Sequence, residues 1–435
     1  MTWRVIQADC VEAMSQMEPA SIDAVVTDPP YGIRFMGKAW DVPDIAAMTR
    51  KNAETKKPRT DGRTVPRDSA SMYAGAYDFS VTGNQAFQMW CGLWATEALR
   101  VLKPGAHLLA FGGTRTFHRL TCALEDAGFE IRDCLSWLYG SGFPKSLNLN
   151  GDHAGWGTAL KPAWEPIILA RKPLTGNVAS NVQAFGTGAL NIDGTRIDAD
   201  PGRPRGLRAD GTRGQTRTTG LADRPWMHEE LRVEPDGPAG RWPANVVLDP
   251  EAAALLDEQT GETGGGAFKP GAARVRNNGL GLGTTDTRDG AANAPDQYGD
   301  TGGASRFFYC PKADREERDR GLEHRRTQPV AAMQGNLIDG GRLGGDGSPI
   351  ATPEGRNPHP TVKPVALMSW LCRLITPPGG TVLDPFTGSG STGIAALREG
   401  FNFVGIEREA DYVEIARDRI LGDSPLFNVQ SEVPA

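Results

Sequence analysis

Short apolar runs alternate with amphipathic stretches at both ends of this chain, and the middle breaks the pattern. Residues 3–7 read as a β-type run, 11–17 as a helix, and 22–27 as a buried strand that runs into Asp28-Pro29-Pro30-Tyr31. From 32 to about 80 the chain is polar and rich in Lys, Arg, Asp and Ala without sustained periodicity, which predicts a long loop beside Asp28. Over 85–102, Phe87, Trp90, Cys91, Trp94, Ala98 and Val101 recur at helical spacing, and the turn Lys103-Pro104-Gly105 follows. A strand over 107–111, a helix over 115–127 stopped by Gly128 and a strand over 129–138 complete a βα repeat.

Between about 176 and 347 the chain is dense in Gly, Pro, Arg and Asp, with apolar islands only at 189–192, 242–248 and 306–310. That composition reads as an insertion rather than as more of the same sheet. The regular pattern returns at His359: a helix over 366–374, a strand over 381–383, a Gly-rich turn, a helix over 392–399, a strand over 403–406 and a helix over 411–419. The expected fold class is therefore α/β, a twisted, mostly parallel sheet with helices on both faces, assembled from the two ends of the chain. The expected division is a first α/β half over 1–175, an irregular insertion over 176–350, a second α/β half over 351–421 and a disordered tail over 422–435.

Composition narrows the class. At 435 residues and 39% hydrophobic content the chain can bury a sizeable core. Its six cysteines are scattered, with no C-x-x-C pair and no clustering with the six histidines, which argues against a disulfide framework or a zinc site and for a reducing compartment. No metal is expected. No stretch approaches the roughly 20 apolar residues of a membrane helix, and the start lacks an apolar signal core, so a cytoplasmic protein with no membrane partner is expected. A net charge of −6 excludes a uniformly basic DNA coat but leaves local basic surface. Arg203, Arg205, Arg208, Arg213, Arg217, Arg224 and Arg232 are candidate phosphate contacts, as are Lys51, Lys56, Lys57, Arg59, Arg63 and Arg67; solvated surface is the alternative reading for each.

Two motifs carry chemistry. Asp384-Pro-Phe386-Thr-Gly388-Ser389-Gly390 joins a buried strand to a helix, with two glycines that let the backbone come close to a ligand. The next strand ends in Glu407, and an acid there can accept hydrogen bonds from ribose hydroxyls. A nicotinamide or flavin dinucleotide is the rival ligand, but the third glycine of G-x-G-x-x-G is missing. An anion at Asp384 also suits a sulfonium and an ammonium better than a pyrophosphate.

Asp28-Pro29-Pro30-Tyr31 fits methylation of an aromatic amine, whose nitrogen is a poor nucleophile because its lone pair is delocalised. The Asp28 carboxylate and the Pro29 carbonyl can accept the two N–H bonds and draw the nitrogen toward tetrahedral geometry. Pro29 and Pro30 stiffen the turn, Tyr31 can stack on the base, and the base must first leave the duplex.

These pieces, with Asn357-Pro-His359-Pro-Thr361-Val-Lys363-Pro364 before the cofactor segment, resemble the β-class DNA amino-methyltransferases, in which the catalytic motif precedes the cofactor motif. The resemblance implies a Rossmann-like fold using S-adenosylmethionine, held by Asp384, Phe386, Gly388, Ser389 and Gly390, with Glu407 on its ribose. It implies further that Thr361 and Lys363 lie near the methionine end and Asp9 near the adenine. Asp28 rather than serine at the head of the motif points to N6 of adenine, with N4 of cytosine as the alternative. Candidate partners are double-stranded DNA, a second copy of the chain and a cognate restriction endonuclease. The competing classes are a dinucleotide-dependent oxidoreductase, for which Asp-Pro-Pro-Tyr has no role, and a non-catalytic DNA-binding module, which needs no cofactor loop.

Overall fold

A computed structural model describes residues 1–32, 81–140, 142, 149–197, 240–264, 275–276, 284–285, 301–311, 316–329, 342–343, 349–350, 354–359 and 361–423. Most of the loop expected after Tyr31, with its basic residues, the arginines from Arg203 to Arg232 and the tail beyond 423 lie outside the described residues.

The strands of the main sheet are β1 (Trp3–Gln7), β2 (Ile22–Thr27), β3 (Leu102–Phe111), β4 (Glu130–Leu138), β5 (Trp164–Arg171), β6 (Val246–Leu248), β7 (Thr381–Asp384) and β8 (Asn402–Glu407). They form one sheet in the order β1-β8-β7-β2-β3-β5-β4-β6. All six residues of β2 are buried, as a strand covered on both faces requires. Its neighbour on one side is β7, from the far end of the chain, with Val382 opposite Ala24 and Leu383 opposite Val25. β1 pairs with β8 in parallel register, Trp3 with Phe403 through Gln7 with Glu407. The sheet is thus closed from both chain ends, as the pattern predicts.

One strand runs against the rest. β5 is antiparallel to both β3 and β4, and the sequence reading does not single it out as a strand. Its register sets Glu165 opposite Trp137 and Trp164 opposite Leu138. β3 also starts earlier than expected, at Leu102, with the expected turn inside it and Gly105 at φ 75°.

Helices cover both faces. On one side α1 (Cys10–Ser15), α2 (Val81–Val101) and α3 (Phe117–Asp126) pack Met14, Trp94, Ala98, Leu120 and Leu124 against Val25, Leu108, Ala110, Ile168, Leu383 and Ile406. The i, i+4, i+7 spacing of Phe87, Cys91 and Trp94 makes one face of α2 apolar, and all three are buried. A short helix, α4 (Val178–Phe185), carries a capping box of Asn177 and Ser180 and is tied to β3 by Asn181 Nδ2, which donates to the Pro104 carbonyl at 2.9 Å. After α5 (Pro250–Thr260), the helix α6 (Val365–Ile375) packs on β2 and β3 from the opposite face. Beside it lie α7 (Ser391–Arg398) and α8 (Ala410–Asp423).

The chain divides into two compact units: Met1–Thr195, Asn245–Ala252 and Cys310–Ala435, which contain the sheet, and Arg196–Ala244 with Ala253–Tyr309. The stretch from 176 to 195, expected at the start of the insertion, stays with the sheet unit. Within the second unit Phe307 lies against the guanidinium groups of Arg241 and Arg306, and Asp257 accepts from the backbone N–H and hydroxyl of Ser305 at 2.8 and 2.7 Å. All six cysteines are free, and no helix among the described residues is long and apolar enough to cross a membrane.

Candidate active site

The site stands at the carboxyl ends of β2, β7 and β8, where parallel strands deliver chain from opposite directions of the sequence and ligands of α/β sheets bind. β2 delivers Asp28 and Tyr31, and β7 delivers Asp384. The strands are stitched at that end by the Thr27 hydroxyl, which donates to Asp384 Oδ1 at 2.6 Å.

Asp384 is the hub of the glycine loop. Oδ1 also accepts from the Phe386 N–H at 3.0 Å, and Oδ2 accepts from the Thr392 hydroxyl of α7 at 2.6 Å. It is 2% exposed; burial pushes its carboxyl up to about 6, against the pull of these three donors. Glu407 closes the loop from β8: Oε2 accepts from the Gly388 N–H at 2.9 Å and Oε1 from the Glu409 N–H at 2.8 Å. Burial raises its carboxyl too, while the backbone donors lower it.

The glycines are required by their surroundings. Gly388 has φ 51°, and a Cβ there would lie 2.6 Å from His359 Nε2; Gly390 has φ 81° and faces the Ala416 backbone at 3.0 Å. Ser389 is held by Arg419 of α8, a fully buried guanidinium that donates to the Ser389 carbonyl at 2.5 Å and to the Glu317 carbonyl at 3.0 Å. The Phe386 ring sits edge-on to Trp94 and tilted to Trp90, with centroids 5.5 and 5.7 Å away. The helical aromatics of α2 thereby brace the loop.

Lys363 reaches the other motif. Its Nζ lies 2.6 Å from Asp28 Oδ2, 3.4 Å from Glu165 Oε2 and 4.8 Å from the centre of the Phe111 ring. Burial pulls this ammonium down, but the Asp28 and Glu165 carboxylates outweigh it and hold its pKa above the ordinary lysine value. The Tyr31 hydroxyl lies 2.9 Å from Asp28 Oδ1 and 3.1 Å from Glu165 Oε2, and the Tyr31 carbonyl accepts from the Thr116 hydroxyl at 2.8 Å. Burial and the two carboxylates push the phenol well above its usual range, so it stays protonated as a donor.

The expected residues therefore fall into two groups, Asp28 and Tyr31 with Lys363, and Asp384, Phe386, Gly388, Ser389 and Gly390 with Glu407, and the Thr27–Asp384 hydrogen bond joins the strand ends that carry them. His359 lies beside Gly388. Its Nδ1 accepts from the Thr361 N–H at 3.4 Å and its ring lies edge-on to Tyr412. Burial and the charges of Lys363, Arg419 and Arg318 push its imidazole down to about 3, so it is neutral. Asp9 is exposed and caps α1, accepting from the Val11 N–H at 2.9 Å; β1 leads to it beside the strand that ends in Glu407. Sequence reasoning missed Glu165, Thr27, Thr392 and Arg419. Glu165 did leave a signal, as an acid at the head of the apolar run 164–170.

What this arrangement holds is chemically specific. Asp28 and Glu165 hold the Lys363 ammonium between them, while Asp384 and Glu407 set two further carboxyl groups along the glycine loop, which Arg419 braces from α8. The loop is a cradle of close backbone beside an acid suited to paired hydroxyls. A nucleoside carrying a sulfonium and an ammonium fits these donors and acceptors.

Comparison with known proteins agrees in kind. Residues 22–236 and 282–418 match the N6/N4 methyltransferase family described as DNA methylase. The Type II methyltransferase M.HindIII of Haemophilus influenzae is 29% identical over 206 residues, which cover 43% of this chain and 64% of that protein. The Type II methyltransferase M2.DpnII of Streptococcus pneumoniae is 47% identical over 62 residues, 14% of this chain and 23% of that one. The chain thus spans less than two thirds of the length of either relative. Among solved structures, TTHA0409 of Thermus thermophilus, complexed with S-adenosyl-L-methionine, is 14% identical with a TM-score of 0.38, covering 98% of each chain. The PvuII DNA methyltransferase (cytosine-N4-specific) is 12% identical with a TM-score of 0.43, covering 97% of this chain and 87% of that one. Both are too distant to bear on activity.

Proposed function

This chain belongs to the N6/N4 DNA methylase family, and we propose that it transfers the methyl group of S-adenosylmethionine to the N6 amine of adenine in double-stranded DNA. The observation that carries this reading is the junction of β2 and β7: the amine-binding candidate Asp28 follows Thr27, whose hydroxyl is bonded to Asp384 of the cofactor loop at 2.6 Å. A methyl donor on the loop and an acceptor on Asp28 are then neighbours, and proximity with alignment is the main requirement of an in-line transfer.

The bound cofactor supplies an electrophilic methyl on a sulfonium. The chain's own residues do the rest. The ionised Asp384 favours the cation, Glu407 takes the ribose hydroxyls with the lone pairs that Gly388 and Glu409 leave over, and Gly388 and Gly390 let the loop turn tightly under His359 and Ala416 so that its backbone faces the ligand. Asp28 accepts an N–H of the amine, together with the Pro29 carbonyl, and raises the electron density on nitrogen. Tyr31 stacks on the extruded base. Asp9 stands toward the adenine of the cofactor, and Thr361 and Lys363 toward its methionine end, Lys363 from its place against Asp28.

The head of the motif favours adenine, since Asp28 rather than serine begins it; N4 of cytosine is the second reading. The target-recognition insertion over 176–350, the dimer and a cognate endonuclease belong to the same proposal. Expression of the chain in a host without DNA methylation, followed by nucleoside mass spectrometry, tests it. N6-methyladenine that disappears with Asp28→Ala, while the melting shift given by S-adenosylmethionine remains, is the expected result. N4-methylcytosine moves the assignment to the other base, and neither product from a cofactor-binding protein rejects the substrate.

A further inference from the structure

Both oxygens of the Asp28 carboxylate are engaged by the protein itself: Lys363 Nζ at 2.6 Å from Oδ2 and the Tyr31 hydroxyl at 2.9 Å from Oδ1. An ammonium this close neutralises the pull that the carboxylate is to exert on an incoming amine, so the pair that holds Asp28 in place also opposes its work. The two donors share a second acceptor. Glu165 Oε2 lies 3.1 Å from the Tyr31 hydroxyl and 3.4 Å from Lys363 Nζ. A phenol has one proton and satisfies one carboxylate at a time, while an ammonium has three and can turn from one acceptor to another.

Glu165 is built into the sheet and not carried on a loop. It stands on β5 in register with Trp137 of β4, whose ring lies edge-on to Phe111, and Phe111 in turn faces Lys363. A carboxylate fixed this way keeps its place while the side chains around it exchange partners.

We propose that Glu165 is a positioning residue that receives the Lys363 ammonium and the Tyr31 hydroxyl when the target amine takes Asp28, so that the catalytic carboxylate is uncovered as the base enters. Hydrogen bonds are exchanged and no proton changes owner. The inference rests on Asp28 being the acceptor of the amine.

Single-turnover transfer of a tritiated methyl group from S-adenosylmethionine to genomic DNA lacking the modification tests it. Glu165→Gln keeps an acceptor for Tyr31 and loses only the charge that draws Lys363, so a merely structural role survives this change. The expected result is a tenfold or greater fall in the single-turnover rate, with the Kd for cofactor and the KM for DNA moving less than twofold, and a recovery of part of the rate in Glu165→Asp. A smaller fall, or a Glu165→Asp enzyme as slow as Glu165→Gln, overturns the proposal. On a Lys363→Met background, where no ammonium remains to be received, Glu165→Gln should cost less than threefold; because opposite charges are removed together, this pair decides the matter even where the single variant does not fold. A full tenfold loss on that background overturns the inference alone, whereas a wild type that transfers no methyl group overturns it together with the function it rests on.

Discussion

If Asp384 holds the cofactor as proposed, it serves the fold and the ligand with opposite pH dependence. Its three donors bind the ionised form, burial opposes it, and the balance leaves the carboxyl at about 6. A folded-state value above the unfolded value near 3.9 contributes stability that is complete below the unfolded value and lost as pH rises through 6. Binding of a cation runs the other way, because only the ionised form attracts it. Affinity for S-adenosylmethionine should therefore be full above about pH 7 and fall as pH drops through 6, by at most about tenfold per pH unit for a single proton. Calorimetric titrations between pH 5 and 7.5 read this directly. Asp384→Asn should bind more weakly and with a flatter profile, any remaining slope belonging to Glu407, whose shift has the same direction. A wild-type affinity constant over that range would remove Asp384 from the binding electrostatics.

At the scale of elements, the strand-loop-helix from β7 to α7 works because its backbone enters left-handed conformations under a close neighbour. Gly390→Ala places a Cβ 3.0 Å from the Ala416 Cα on α8, at φ 81°. The conformation alone costs about 1–2 kcal/mol, and α8 must move as well. Gly379 is a matched control, with φ 69° and nothing within 4 Å of its Cβ position. Thermal melts should show Gly379→Ala losing a few degrees while keeping its cofactor-induced shift, and Gly390→Ala losing more and giving little shift. Equal behaviour of the two variants would mean that the loop tolerates displacement. The glycines and the acid were legible in the sequence because their spacing is local. Arg419, which holds the loop from 30 residues farther along the chain, was not, since an arginine in an amphipathic helix looks the same whether it faces solvent or a buried carbonyl.

At the scale of the whole molecule, the sheet unit is interleaved: β7 and β8, after residue 380, lie between β1 and β2, which come before residue 28. A protease site placed between Gly220 and Leu221 should yield two fragments that co-elute on gel filtration, keep the melting shift given by S-adenosylmethionine and separate only in denaturant. Fragments that part in buffer would contradict this strand order. The sequence by itself determined the α/β class and the assembly from both ends, and it marked Asp28-Pro29-Pro30-Tyr31 and the glycine turn as candidates, because apolar periodicity and short motifs are properties of neighbouring residues. It did not determine β5, since its apolar run in 164–170 carries no mark of direction and antiparallel pairing depends on which strands β3 and β4 leave beside it. Only the tertiary structure set Glu165 against Tyr31 and brought Lys363 onto Asp28, a contact spanning 335 residues of chain. Such pairs are decided by how strands order themselves in a sheet, a matter of packing between distant segments that no local pattern records.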